Sequence, residues 1–313
     1  MSEPSGLFLP ARAKLNLVLR ITGRRADGYH LLETLFHAIE LHDDVWMADA
    51  ETTTLHVSAA RPDLAVSAGE DNLVHRALVR FAAATGRRRG FDVQLHKRIP
   101  NGAGLGGGSS DAAAALVLAN ESSGRPLDDA ALDALASGLG ADVPFFLRGG
   151  SQWGRGIGDE LEPASVPPMH FVLVVPPYGC PTAAVYENHA ALWNSAAPQD
   201  TVRAVTGPHT RDSGLRIEFR NDLAVAAERV RPALGQLRQR IRQCIADLGP
   251  VDVAMTGSGS TLFLAFRTDD ESAQCAARLR ELSALGVRIE RTRSAPAAAD
   301  APVRAARPGQ RQS

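Results

Sequence analysis

Apolar and polar residues alternate along this chain in two periods. Leu15, Leu17 and Leu19 are interleaved with Asn16, Val18 and Arg20, which predicts a strand largely covered on both faces. Leu35–Leu41 and Asp44–Met47 read as further extended segments, and Phe91–Leu95 alternates Phe, Val and Leu with polar residues as a short strand. Leu73, Ala77, Leu78 and Phe81 give Asn72–Thr85 a helical spacing. An alanine-rich run predicts a helix from about Ser109 to Glu121, and another spans Asp128–Leu139 and stops at Gly140. Further on, His170–Val175 reads as a buried strand halted by Pro176 and Pro177. Arg231–Leu248 carries Leu234, Leu237, Ile241, Ile245 and Leu248 at steps of three and four, the mark of an amphipathic helix. Val251–Met255 and Thr261–Phe266 pair around the turn Thr256–Ser260, followed by a last helix, Glu271–Leu285, and a last strand, Val287–Glu290. Strands and helices are interleaved in both halves, so the fold class is mixed α/β, of the α+β kind. The Gly- and Pro-rich stretch Gly149–Pro168 is the expected boundary between the halves. Residues 1–6 are expected to be flexible, and residues 294–313, rich in Ala, Pro and Arg, to be a disordered tail.

Composition narrows the partners. With 34 Lys+Arg against 35 Asp+Glu the formal net charge is −1, which argues against bulk binding of nucleic acid and leaves room for small phosphorylated ligands. Cys180, Cys244 and Cys275 are odd in number and far apart, so no disulfide framework or CxxC site is expected, in keeping with a reducing cytoplasm. No apolar run approaches the roughly 18 residues of a membrane span. The nine histidines show no HxH or HExxH spacing, so no protein metal site is expected.

Candidate chemistry concentrates after the Phe91–Leu95 strand. The sequence from Pro100 is PNGAGLGGGSSDAAAALVLAN, with five glycines in the seven residues from Gly102 to Gly108. Glycine lets a ligand approach the main chain, and a helix that starts behind the loop offers unpaired N–H groups and the positive end of its dipole. That combination suits a phosphate. The GK[ST] ending of a Walker A loop is absent.

The pattern P-x-x-x-G-L-G-x-x-S-S resembles the phosphate-binding motif of the GHMP kinases. Four other segments agree with one branch of that family: PARAKLNL at Pro10–Leu17, ITGRRADGYH at Ile21–His30, GLGADVPF at Gly138–Phe145 and MTGSGS at Met255–Ser260. The resemblance runs from about Pro10 to Arg293. It implies a two-domain fold, an ATP-binding domain over 7–160 and a second domain over 161–293, with the active site in the cleft between them. It implies transfer of a phosphoryl group from ATP to an alcohol, with Mg²⁺ arriving on the nucleotide and no permanently bound cofactor.

The loop residues Pro100, Asn101, Gly102, Ala103, Gly104, Leu105, Gly106, Gly107, Gly108, Ser109 and Ser110 would then wrap the triphosphate, with Asn72 and Lys97 near the adenine and ribose. Lys14 and Asp142 would be the catalytic pair. The acceptor of this branch is a cytidine-diphosphate sugar alcohol on the non-mevalonate route to isoprenoid precursors. Tyr29 would stack on the cytosine and His30 bond its edge. Tyr186, where the family often has Phe, would cover the other face, and Asn16 and Thr182 would touch the substrate. The expected partners are therefore small molecules, without nucleic acid or membrane, for a cytoplasmic monomer or weak homodimer. A homoserine- or mevalonate-type kinase and a non-catalytic nucleotide-binding regulator are the alternatives. On residue type alone, Lys14 reads first as a strand-edge lysine and Asp142 as a turn or capping carboxylate, and it is the resemblance that reverses this. The Tyr29–His30 and Gly257–Ser260 segments read equally as plain turns.

Overall fold

The computed structural model describes residues 5–195, 218–297 and 300–308. Its frame is a long antiparallel hairpin of β1 (Ser5–Arg24) and β2 (His30–Ala50). The sequence pattern breaks these strands into pieces for a physical reason. Their register slips between Arg12 and Ala13, between Asn16 and Val18, and between Ile21 and Gly23. The first slip adds two residues to β2 and the other two add one each to β1, so strict alternation is lost while pairing continues.

The chain continues through β3 (Thr54–Ala59), α1 (Leu73–Thr85), β4 (Gly90–Lys97), α2 (Gly107–Ser122), α3 (Asp129–Ser137), α4 (Val143–Arg148), β5 (Ser151–Arg155) and β6 (Glu160–Pro163). It then forms β7 (His170–Val175), α5 (Thr182–Ser195), β8 (Arg220–Asn221), α6 (Ala224–Val230) and α7 (Pro232–Cys244). The final elements are β9 (Ala254–Met255), β10 (Leu262–Phe266), α8 (Asp269–Leu279), β11 (Arg288–Arg293) and β12 (Val303–Ala306). The first sheet runs β12-β1-β2-β4-β3, with β5 and β6 added on β2 and β8 on β1; the second runs β11-β7-β10-β9.

α2 is buried on nearly every side, from Ser110 to Asn120, which explains its alanine content: four small residues, Ala112–Ala115, let the helix lie close to its neighbours. It packs with α1 on the apolar residues of β1, β2 and β4, including Leu9, Val45, Met47 and Val93. Leu15 and Leu17 of β1 join Phe171, Leu173 and Phe263 of the second sheet, and Leu19 and Ile21 join Val172, Val174 and Leu262. β1 therefore feeds the cores of both halves. The division expected at residue 160 falls inside β6, which pairs with β5 in the first sheet, and the second sheet begins at β7.

The C-terminal stretch departs from the expected disorder where it is described. Ser294 bonds His37 and Met169, Asp300 pairs with Arg12, and β12 lies antiparallel on Ser5–Phe8. Its Ala305 carbonyl accepts the indole N–H of Trp46 at 3.1 Å. The periodicity test misses it because a four-residue edge strand is too short to show a period. Residues 1–4, 298–299 and 309–313 lie outside the described residues, and Ser5 already belongs to β1. Among the described residues no helix is long and apolar enough to cross a membrane.

Candidate active site

Lys14 and Asn16 occupy the four-residue stretch of β1 between its first two register slips, Ala13–Asn16. Bulges of this kind re-aim side chains beside active sites. Lys14 is buried, only 3% exposed, so its charge needs partners. Its Nζ donates to Asn16 Oδ1 at 2.6 Å and lies 3.6 Å from Asp142 Oδ2. Asp142 is one-third exposed and sits at the first turn of α4, its carboxylate unused by the helix cap. Asn16 is a hub: its Nδ2 donates to Thr34 Oγ1 at 2.8 Å, and its Oδ1 also accepts from the Gly257 N–H at 3.0 Å.

The glycine loop leaves β4 and ends at Gly106, whose left-handed conformation (φ 75°) caps α2. A Cβ there would lie 2.7 Å from the Phe146 ring, so this position requires glycine twice over. The loop is tied down from behind: Lys14 N–H donates to the Leu105 carbonyl at 3.0 Å, and the Thr261 N–H to Ala103 at 3.3 Å. The N–H groups of Gly107, Gly108 and Ser109 lie in the first turn of α2, where no intrahelical acceptor exists. The Ser110 N–H is already bonded to Gly106 at 2.9 Å.

A cavity of about 250 Å³ brings together Lys14, Asn16, Asp142, Thr182, Tyr186 and the loop glycines Gly102, Gly104 and Gly106. Thr34, Phe36 and Ser258 also line it. Thr182 shares a 2.9 Å hydrogen bond with Ser258, which ties the start of α5 to the Thr256–Ser260 turn. The His30 ring stands 5.0 Å from Tyr186. Burial, helped by Arg24 and His189, lowers the His30 pKa, so the imidazole is neutral at physiological pH. Burial, with the Asp142 carboxylate nearby, pushes the Tyr186 phenol up to about 12.

Four expected site residues stand elsewhere. Tyr29 is 62% exposed on its turn, outside the cavity. Asn72 caps α1, its Oδ1 accepting from Val74 N–H at 2.9 Å. The Ser110 side chain is buried and faces a second cavity, about 680 Å³, between α2, α4 and the C-terminal stretch. The Lys97 ammonium is buried under α2, held by Asp43 and, at 2.6 Å, by Asp111. Burial and Asp43, against the pull of Lys97, push the Asp111 carboxyl above its usual range. Asp43 also accepts the Arg98 and Ile99 N–H groups, so this triad grips both ends of the loop. Asp43, Asp111, Thr34 and Thr256 are the residues that sequence reasoning overlooks. The available signal was polarity inside apolar runs, as in Leu31-Leu-Glu-Thr-Leu-Phe36.

These features define a GHMP kinase. The family model for the GHMP kinase N-terminal domain matches residues 72–150. A homoserine kinase from Cytophaga hutchinsonii shares the fold, with a TM-score of 0.64 over 97% of this chain and 98% of that one, at 16% identity. More specific relatives are also found. A 4-diphosphocytidyl-2-C-methyl-D-erythritol kinase from Pelotomaculum thermopropionicum is 39% identical over 274 residues, 86% of this chain and 92% of that one. Its counterpart from Bordetella parapertussis is 40% identical over 265 residues, 84% and 83%. A crystal structure of a 4-(cytidine 5'-diphospho)-2C-methyl-D-erythritol kinase superposes with a TM-score of 0.71 at 34% identity, covering 92% of this chain and all of that one. The chain belongs to the 4-diphosphocytidyl-2-C-methyl-D-erythritol kinase family.

Proposed function

We propose that this protein transfers the γ-phosphoryl group of ATP to the 2-hydroxyl of 4-diphosphocytidyl-2-C-methyl-D-erythritol, giving the 2-phosphate and ADP. The observation that carries the reading is the Lys14–Asp142 pair at 3.6 Å inside a cavity rimmed by the loop glycines. In this reading the hydroxyl oxygen attacks the γ-phosphorus, the bond to the β-phosphate oxygen breaks, and the hydroxyl proton passes to Asp142. The Lys14 ammonium offsets the charge that spreads over the transferring group. The free N–H groups of Gly107, Gly108 and Ser109 hold the phosphates, with few cations involved.

Mg²⁺ enters on the nucleotide, bound by phosphate oxygens and water. Among the described residues no group of three or more His, Cys, Asp or Glu stands together to hold a metal of its own, and the carboxylate at the site is Asp142. Thr182, Tyr186 and His30 form the acceptor side, where neutral His30 can accept a hydrogen bond from the cytosine amino group. Tyr29, exposed on the turn before His30, is the aromatic assigned to the other face of the base. The near-balanced charge and the three free cysteines support a cytoplasmic enzyme acting on small molecules.

Purified protein with ATP, Mg²⁺ and the acceptor should release ADP. Asp142→Asn should lower kcat by roughly 10²–10⁴-fold, the usual share of a general base. Folded protein that releases no ADP would refute the reading. Inhibition by cytidine diphosphate separates this activity from that of a homoserine- or mevalonate-type kinase, which has no reason to bind cytosine.

A further inference from the structure

Thr34 lies on β2 in the wall of the cavity, fully buried. Its Oγ1 is 2.7 Å from the Val18 carbonyl oxygen and 2.8 Å from Asn16 Nδ2. A carbonyl only accepts, so the single hydroxyl proton of Thr34 goes to Val18. What remains on Oγ1 is an acceptor, and it takes the Asn16 side chain by its NH₂ end. The other end, Oδ1, then faces two strong donors, the Lys14 ammonium at 2.6 Å and the Gly257 N–H at 3.0 Å, with the Thr256 hydroxyl further off at 3.3 Å. A flipped amide would set its NH₂ against both of those donors and its oxygen against an oxygen. Lys14, Asn16, Thr34 and Thr256 are all buried, so water has little access to repair that arrangement.

We infer that Thr34 is a positioning residue for phosphoryl transfer. Its hydroxyl fixes the amide of Asn16 so that Oδ1 steadies the Lys14 ammonium beside Asp142. The chain of bonds runs one way, from Lys14 through Asn16 and Thr34 to the Val18 carbonyl. Thr256 braces it from the other half of the molecule, its Oγ1 accepting the Asn16 backbone N–H at 3.0 Å. The inference rests on the reading of Lys14 as a catalytic group.

Thr34→Val keeps the shape and removes the hydroxyl; Thr34→Ser keeps the hydroxyl and removes a methyl. The valine variant should lose roughly 10- to 100-fold in kcat, the scale of one buried donor set against another, with the KM for ATP within about twofold of the parent. The serine variant should recover kcat to within about threefold. A purely structural role would not split kcat from the KM for ATP in this way. Crystal structures of the parent and Thr34→Val give a readout independent of turnover: Lys14 Nζ should leave hydrogen-bond distance of Asn16 in the variant alone. If the valine variant does not fold, Thr34→Ala takes its place. Parental kcat in Thr34→Val, a serine variant as impaired as the valine one, or an unmoved Lys14 would overturn the inference. A parent that releases no ADP would overturn the functional reading instead, and the crystal comparison would still decide the amide orientation.

Discussion

Lys14 sits on a strand with 3% of its surface exposed, and its type alone could not separate a catalytic lysine from one at a strand edge. Burial and two oxygen partners set it apart from a strand-edge lysine, and both depend on residues distant in sequence: Asp142 just before α4, and an Asn16 held by Thr34 and the Gly257 turn. His37 shows the same dependence with a different outcome. Its two ring nitrogens bond Ser151 and Ser294, each at 2.8 Å, and burial lowers its pKa to about 4. The unfolded chain binds that proton near pH 6.5, so the folded state is favoured fully above pH 6.5 and loses stability as pH falls towards 4. The loss amounts to about 3 kcal/mol in all. Urea melts between pH 7 and 4.5 should show this slope in the parent and a shallower one in His37→Gln.

Gly108 provides a test of ligand against fold. A Cβ there meets only Leu73 Cδ1, at 3.7 Å, an ordinary contact. Gly108→Ala should therefore keep or slightly raise stability, while the KM for ATP rises about tenfold or more if the triphosphate lies on the proposed loop, where a methyl would meet it. An unchanged KM would place the triphosphate elsewhere.

At the level of elements, the loop between β4 and α2 was legible because glycine density, a preceding strand and a following helix are all local signals. Its anchorage was not. Lys97, Asp43 and Asp111 come from three elements, and only the packing of β2, β4 and α2 turns them into one buried ion cluster. Sequence reasoning directed Lys97 at the nucleotide, whereas its ammonium lies beneath α2, between Asp43 and Asp111. Lys97→Met would leave two carboxylates facing each other without a cation. It should cost about 3–5 kcal/mol in denaturant melts, as removal of one partner from a buried pair does. Asp111→Asn in the same chain should restore part of that loss. The long strands were read as fragments for a related reason, since their register slips are set by the partner strand.

Across the whole molecule, the mixed α/β class followed from periodicity, while α5, α6 and the short strands β3, β5 and β6 went unread. The shared use of β1 did not follow from it, since one strand serving two cores has no local signature. The cavity of Lys14 and Asp142 forms where those cores meet: β1 supplies Lys14 and Asn16, the residue before α4 supplies Asp142, and the Thr256–Ser260 turn arrives from beside the second sheet. The C-terminal strand belongs to this scale as well. Truncation after residue 297 removes β12 and the Arg12–Asp300 ion pair, and exposes Trp46, which is 1% accessible in the intact chain. The truncated protein should melt at lower temperature with red-shifted tryptophan fluorescence. An unchanged melt and spectrum would show that this strand contributes nothing to the fold.

β12 covers one end of a strand twenty residues long. An uncovered strand edge offers a row of free N–H and C=O groups to any other extended chain. β12 takes up that row over Ser5–Phe8. Chains clipped near residue 300 would be expected to form intermolecular sheet, and to be lost from solution with time and concentration even while their catalytic cavity is intact.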